Sequence, residues 1–482
     1  MAKEFLLDSK IKFSISALDN QELKALKKAF RKSNPTHYRL KAIGKNPYYA
    51  GEKPTITLFE EEFGFLVLPR GSLKNIRKVI KEELQLEEDN RTTIPLKKKP
   101  EFKSGFSFWE QQQEAIDSVE EAEFQSGLIV GECGSGKTEI LLGIFQKVQE
   151  KTLVVVDKLA LMKQWVARVK ARFKNISVGI IQGKKFEIDN DIVIGSQKTI
   201  FNRIEEVKDE FGCLLCDEVH MYAARTFREV VEKISAKYRI GATATLVRKD
   251  RKEFLIYAAF GRVLHTITDD ELVEQGKVEE VEMVVVPTEF EAKEYVQIRE
   301  DLDGEQKVVN WNHHQLLKEM KYDEARNKLV MDIIKAEVAT GHKCLVMLDR
   351  VSHCIYWVNM LKQERIEAGL MVGEKEYKEQ RESAPILLEQ GKIQVIVMNN
   401  SIQQGLDIPI LDRGFGVHPS AANPARLQQQ RGRLKRTAEG KHDAKFYYFW
   451  DRKVHGFEEH LQTIRSKFRK VKVYAKRKWK KK

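Results

Sequence analysis

Gly131-Glu132-Cys133-Gly134-Ser135-Gly136-Lys137-Thr138 carries the strongest structural signal in the chain. It matches G-x-x-x-x-G-K-[ST] at every fixed position, between an apolar run (Leu128–Val130) and a helical pattern (Ile140–Val148). Glycines let the backbone curl so that successive N–H groups point at phosphate oxygens. The helix that follows adds a positive partial charge at its N-terminus. In this frame Gly131, Gly134, Ser135 and Gly136 cradle a nucleotide's phosphates. Lys137 neutralises the β/γ-phosphates, and the Thr138 hydroxyl ligates Mg²⁺. The candidate ligands are therefore ATP and Mg²⁺.

Outward from this loop the chain alternates short apolar runs with amphipathic helical stretches. The expected strands are Gly127–Val130, Thr152–Val156, Asp191–Ile194, Cys213–Cys216 and Tyr238–Gly241. A second series comprises Lys343–Leu348, Glu367–Val372, Gln394–Met398, Arg413–Val417 and Ala444–Phe449. Such alternation predicts parallel sheets covered by helices on both faces. Thr92–Lys103, with two prolines and a Lys triplet, looks like a linker, and the polar stretch Glu289–Tyr322 is expected to be helical.

About 80 residues after the loop, the apolar run Phe211–Cys216 ends in Asp217-Glu218-Val219-His220. A charged strand end is weak alone. Paired with the phosphate loop, it offers Asp217 for Mg²⁺ and Glu218 to orient and deprotonate an attacking water. His220 can couple nucleotide state to a neighbouring loop. Cys213-x-x-Cys216 has metal-like spacing, but it sits inside the strand with no second Cys pair or His cluster, and reads as structural.

Together these residues resemble superfamily 2 helicases, with Asp217–His220 as the D-E-x-H box. Gln112 resembles the adenine-reading glutamine ahead of the phosphate loop, with Trp109-Glu110-Gln111 where the family usually has Arg and Tyr. Val154–Trp165 and Ile194–Thr199 resemble the loops that touch the nucleic-acid backbone, and Gly241–Thr245 resembles motif III. Cys344–His353 is similar to motif IV and Ser401–Pro409 to motif V, where Gly405 and Asp407 would approach the ribose. Gln429-Gln430-Arg431-Gly432-Arg433-Leu434-Lys435-Arg436 fits Q-x-x-G-R-x-x-R, motif VI. The resemblance implies that Gln429 contacts nucleotide and that Arg433 and Arg436 are arginine fingers, a contribution of about 10³–10⁵ in rate. It implies an α/β fold of two tandem RecA-like motor domains with parallel sheets, plus a small N-terminal α+β accessory domain. The expected divisions are 1–100 (accessory), 101–285 (first motor), 286–325 (helical connector), 326–455 (second motor) and 456–482 (basic tail).

Within the superfamily the chain looks most like the compact phage recombination helicases of the UvsW type. Val346–Leu361, the turn at Val372-Gly373-Glu374 and Ile402–Asp407 carry that likeness. It implies unwinding and branch migration of forked, branched or partly single-stranded DNA by a monomer, with other replication or recombination proteins as further partners. An RNA motor, a restriction-nuclease motor subunit and a non-catalytic DNA-binding scaffold are the alternatives. Few residues after the second motor domain and no clustered nuclease carboxylates stand against the second. Intact Lys137, Glu218, Arg433 and Arg436 stand against the third.

Composition sets the outer bounds. Of 482 residues, 42% are hydrophobic, enough for a large core, and the net charge of +13 points to a polyanionic partner. No apolar run is long enough to span a bilayer, so no membrane role is expected. Five cysteines in so long a chain exclude a disulfide scaffold and suggest the cytoplasm, that of the host if the protein is phage-encoded. Residues 1–100 carry 21 Lys/Arg and 13 Asp/Glu, while residues 466–482 carry ten Lys/Arg and no acid. The remainder has a net charge of −5, so the excess sits at the two ends. Phe30, Tyr38, Tyr48, Tyr49, Phe59, Phe63 and Phe65 are interleaved with the front basic residues, either stacking on unpaired bases or forming that domain's core.

Overall fold

The computed structural model describes residues 2–42, 44–132, 134–220, 225–248, 250–293, 296–300, 306–399, 408–419, 424–441 and 443–474. The chain forms two compact units, Met1–Thr268 and Asp269–Lys482.

The first unit opens with a five-stranded sheet in the order Glu60–Glu62, Phe65–Pro69, Lys10–Ser14, Lys3–Leu7, Leu84–Asp89. Only the last pair is parallel. Alternate residues Phe5, Leu7, Ile11 and Phe13 face one way and bury against Leu26, Leu73 and Ile76 of the covering helices, the period-2 pattern of a sheet with one covered face. Phe30 joins this core, whereas Tyr38, Tyr48, Tyr49 and Phe63 are exposed.

The nucleotide-loop domain follows as an eight-stranded sheet. Its order is Lys185–Phe186, Val178–Gln182, Ile192–Ser196, Thr152–Val156, Cys213–Asp217, Tyr238–Thr243, Ser126–Gly131, Val263–Ile267. Every pairing is parallel except the first. The five expected strands form its centre, where burial on both faces explains their unbroken apolar runs. The strands outside them lie at the two edges.

Thr92–Lys103 is not a free linker. The Thr92 N–H donates to Ser235 O (2.9 Å) and its carbonyl accepts from Lys237 N (2.9 Å). The Lys151 N–H donates to Ile94 O (2.8 Å) and Lys103 N–H to Arg172 O (2.7 Å). The segment thus straps past the starts of the strands Thr152–Val156 and Tyr238–Thr243, the ends opposite the phosphate loop. Buried Arg70 adds to this seam by donating to Ala236 O and Phe124 O (both 2.6 Å).

The second unit holds a seven-stranded, wholly parallel sheet. Its order is Ala368–Met371, Val395–Asn399, Cys344–Leu348, Arg413–Gly416, Lys445–Asp451, Glu282–Thr288, Val471–Val473. All five expected strands are there. Three expected divisions change. A boundary at 285 would cut the strand Glu282–Thr288, which pairs along its whole length with Lys445–Asp451. The stretch expected as a helical connector begins with an antiparallel pair, Val296–Glu300 and Gln306–Trp311, before the helix His313–Tyr322. The region expected as a basic tail contains a helix, His460–Lys467, and the sheet strand Val471–Val473, where Val–Lys–Val alternation supplies an edge.

Candidate functional site

The phosphate loop leaves the C-terminal end of Ser126–Gly131 and enters the helix Lys137–Val148. Parallel α/β sheets place ligands at this edge. Gly134 and Gly136 adopt φ of +99° and +74°, the left-handed region. A Cβ on Gly136 would lie 2.3 Å from Gln112 Nε2, so glycine is required both for the turn and for that close approach. Cys133 lies outside the described residues. Lys137 Nζ donates to Gly131 O (2.9 Å), folding the side chain back across the loop. The Ser135 hydroxyl is fully buried without a hydrogen-bond partner, an orphaned polar atom within the phosphate loop. A phosphate oxygen would satisfy it, so the loop fits the group its sequence implies.

Gln112 is buried on the helix Glu110–Asp117. Its Oε1 accepts from Trp109 N (3.1 Å) and its Nε2 donates to Ser135 O (3.0 Å). It therefore ties the start of its own helix to the phosphate loop. Thr138 is half-buried in the first helical turn.

Asp217 ends the strand Cys213–Asp217, next to Tyr238–Thr243, which in turn borders Ser126–Gly131. Its Oδ2 accepts from Trp165 Nε1 (3.2 Å) and its Oδ1 from Glu218 N (2.9 Å). Burial pushes this carboxyl above the usual range and the Glu218 charge adds to that, opposed by Lys137. Glu218 turns out of the strand with φ +54°. Burial acts to raise it too, but His220 and Lys137 outweigh burial and hold it below the usual carboxylate range. His220 Nδ1 lies 3.1 Å from Glu218 Oε2 and 3.3 Å from Thr243 Oγ1, and that hydroxyl donates to Thr245 O (2.9 Å). One imidazole nitrogen thus touches both the acidic box and motif III.

Sequence reasoning singled out His220 but missed the indole of Trp165. A tryptophan on a buried helix face carries no local signal for a partner 52 residues away. It also missed Gln197 Nε2 donating to Asp157 Oδ1 (2.6 Å), which joins the two loops expected to touch nucleic-acid backbone. Cys213 and Cys216 are fully buried free thiols pushed upward by burial, the first to about 12. No cluster able to hold a metal ion occurs among the described residues.

The remaining expected residues lie on the second unit. Gln429 is half-buried on the helix Pro424–Gly432, and Arg433 and Arg436 follow that helix. Gly405 and Asp407 lie outside the described residues. Two neighbours of the arginine pair have roles that sequence did not disclose. Arg431 Nη1 donates to Asp269 Oδ2 (3.0 Å) and Lys435 Nζ ion-pairs with Asp269 Oδ1. Lys435 is fully buried, so Asp269 is its counter-charge.

Residues 106–248 match the family described as type III restriction enzyme, res subunit, and residues 325–438 match the helicase conserved C-terminal domain. The two regions cover just over half the chain and bracket the phosphate loop, the acidic box and the arginine motif. "Probable helicase D10" of Escherichia phage T5 is 26% identical over 74% of this chain and 73% of its own length. The "DNA 3'-5' translocase XPB2" of Sulfurisphaera tokodaii is 25% identical over 70% of this chain and 80% of its own. The crystal structure of T4 UvsW aligns over 98% of this chain and 99% of that one, at 14% identity and a TM-score of 0.42. With a phosphate loop, a D-E-x-H box joined to motif III, and both matched domains in order, the chain belongs to the superfamily 2 helicases, ATP-dependent enzymes that act on nucleic acid.

Proposed function

We propose that this helicase hydrolyses ATP to unwind or branch-migrate forked and junction DNA, in the manner of the phage recombination helicases its sequence resembles. The observation that carries the ATP half is the contact of His220 with both Glu218 and Thr243, since it gives the hydrolytic carboxylate a physical link to the loop expected to report nucleotide state. Lys137 and the loop amides hold the phosphates. Thr138 and Asp217 hold Mg²⁺, which when bound neutralises charge on the β- and γ-phosphates. Glu218, kept ionised, accepts a proton from the attacking water. Arg433 and Arg436 stabilise charge on the transferred phosphoryl group, with Gln429, Gly405 and Asp407 near the nucleotide. Gln112 contacts adenine with the one N–H and the one lone pair its two hydrogen bonds leave over. The residues before the nucleotide-loop domain act as an accessory nucleic-acid-binding module. The DNA assignment is supported by the likeness to the Sulfurisphaera relative, described as a DNA 3'-5' translocase, and by the phage-type resemblance.

An unwinding panel tests this reading. Forks, four-way junctions, tailed duplexes and structured RNA are compared with and without ATP. ATP-dependent strand separation that is fastest on forks or junctions is expected. Fastest action on RNA would replace the DNA assignment with the RNA one.

A further inference from the structure

The charge of the front domain is localised. Lys24–Lys53 contains nine Lys/Arg (Lys24, Lys27, Lys28, Arg31, Lys32, Arg39, Lys41, Lys45 and Lys53) and one acid, Glu52. That net +8 equals the excess of the whole first hundred residues, whose other basic and acidic residues cancel. Among the described residues only Lys27 of the nine is ion-paired, to Glu61 (2.8 Å). A chain that spread its lysines for solubility alone would not leave the rest of the domain neutral.

The same stretch carries the exposed tyrosines. Arg31–Ser33 and Thr55–Thr57 pair as antiparallel strands, and the chain between them makes an excursion through the helix Pro35–Ala42 and the short 3₁₀ turn Pro47–Ala50. Tyr38, Tyr48 and Tyr49 are 51%, 64% and 93% exposed. Nothing in the fold demands that three large rings stand in water. Tyr38 and Tyr48 are nonetheless placed, because buried His37 meets both edge-on, with ring centroids 5.1 and 5.5 Å away.

The neck of the excursion is built. Asn34 is buried and its Nδ2 donates to Glu52 Oε2 and Lys53 O (both 2.8 Å), while its N–H donates to Pro54 O (2.9 Å). His37 Nδ1 bonds Glu52 O (2.8 Å). Glu52 is also paired with Lys252 Nζ (3.1 Å), in the segment between the motif III strand and the helix Glu253–Phe260. The one acid of the stretch is therefore used to fasten it to the nucleotide-loop domain.

We propose that the excursion Asn34–Pro54 is a platform for an unpaired nucleic-acid strand, with Tyr38, Tyr48 and Tyr49 as stacking surfaces and Arg39, Lys41, Lys45 and Lys53 as phosphate contacts. Flat rings offered to bases and flexible cations offered to the backbone form the pairing that holds single strands without reading sequence. The inference rests on the nucleic-acid reading above and names where on this chain the strand is held.

The test is fluorescence anisotropy of the full chain with a labelled oligo-dT strand, a blunt duplex of equal length and an oligo-U strand. Tyr38→Ala/Tyr48→Ala/Tyr49→Ala should weaken oligo-dT binding about tenfold or more and blunt-duplex binding much less, and leave kcat for ATP at saturating DNA unchanged. Arg39→Gln/Lys41→Gln/Lys45→Gln/Lys53→Gln should flatten the dependence of log K on log salt by about 3 for single strands. Tyrosine variants that bind both oligo-dT and oligo-U like the unsubstituted protein would overturn the platform alone and leave the surface to a protein partner. No binding of any nucleic acid by the unsubstituted protein would overturn both readings. Loss on oligo-U but not on oligo-dT would keep the platform and reassign its strand to RNA.

Discussion

Lys137 and Glu218, the residues proposed to hold phosphate and to activate water, both sit where three central strands end side by side. Truncating Lys137 to Ala removes the cation that faces both acidic-box carboxylates, and kcat should fall by about 10²–10³ with the fold intact by circular dichroism. Gly136→Ala tests the loop differently. It places a Cβ in the left-handed region and against Gln112 Nε2, so it should cost about 1–2 kcal/mol and weaken ATP binding in a nucleotide-dependent melting assay. Away from the site, burial pushes His353 and His460 down to about 4. Both are neutral when folded and take up a proton more readily when unfolded, near pH 6.5. Their contribution is therefore fully present above pH 6.5 and is lost as pH falls toward 4, by up to about 1 kcal/mol per pH unit for each. His460→Phe should flatten the pH dependence of the second unit's denaturation midpoint between pH 7 and 5. An unchanged slope would show that His460 is not held neutral. At this scale the phosphate loop and the acidic box were legible as motifs, because their residue types recur at fixed spacings. Trp165 and Asp269 were not, because nothing local marks a partner brought in by tertiary packing.

At the scale of elements, the central strands announced themselves as unbroken apolar runs, and the edges did not. Val263–Ile267 is flanked on one side only, and outside Val178–Gln182 lies only the two-residue strand Lys185–Phe186, so their burial is partial and their patterns mixed. Glu282–Thr288 was concealed for another reason. It joins a sheet whose other members begin 56 residues later in the chain, and a contiguous division of the sequence cannot express that. The contact of Asp269 with Arg431 and Lys435 links the segment opening the second unit to the arginine motif. Asp269→Asn leaves buried Lys435 without its counter-charge, and should lower the stability of the second unit by about 3 kcal/mol and reduce kcat more than KM for ATP. Asp269→Glu should restore part of both. Loss of stability with unaltered kcat would mean that Asp269 serves the fold and not the placement of Arg433 and Arg436.

For the molecule as a whole, the basic surplus divides into a structured part and a terminal part. The front share resolves into Lys24–Lys53, the stretch that leads into and carries the excursion Asn34–Pro54. The rear share begins within the sheet, since Val471–Val473 pairs with Glu282–Thr288 and Tyr474 N–H donates to Val285 O (2.8 Å). A clean truncation must therefore start after Tyr474. Deleting residues 475–482 removes six Lys/Arg and should lower the salt slope of duplex binding by up to about 5, with ATP affinity unchanged. Among the described residues no helix is long and apolar enough to cross a membrane. Nucleic acid is proposed to govern ATP hydrolysis at Lys137 and Glu218. Steady-state hydrolysis by the full chain and by Glu218→Gln, each with and without forked DNA, measures it. A fork should raise kcat of the unsubstituted protein by about 10-fold or more, and Glu218→Gln should lower the stimulated rate by about 10²–10⁴ while still binding DNA. Hydrolysis indifferent to every nucleic acid, or a Glu218→Gln variant as fast as the unsubstituted protein, would contradict it.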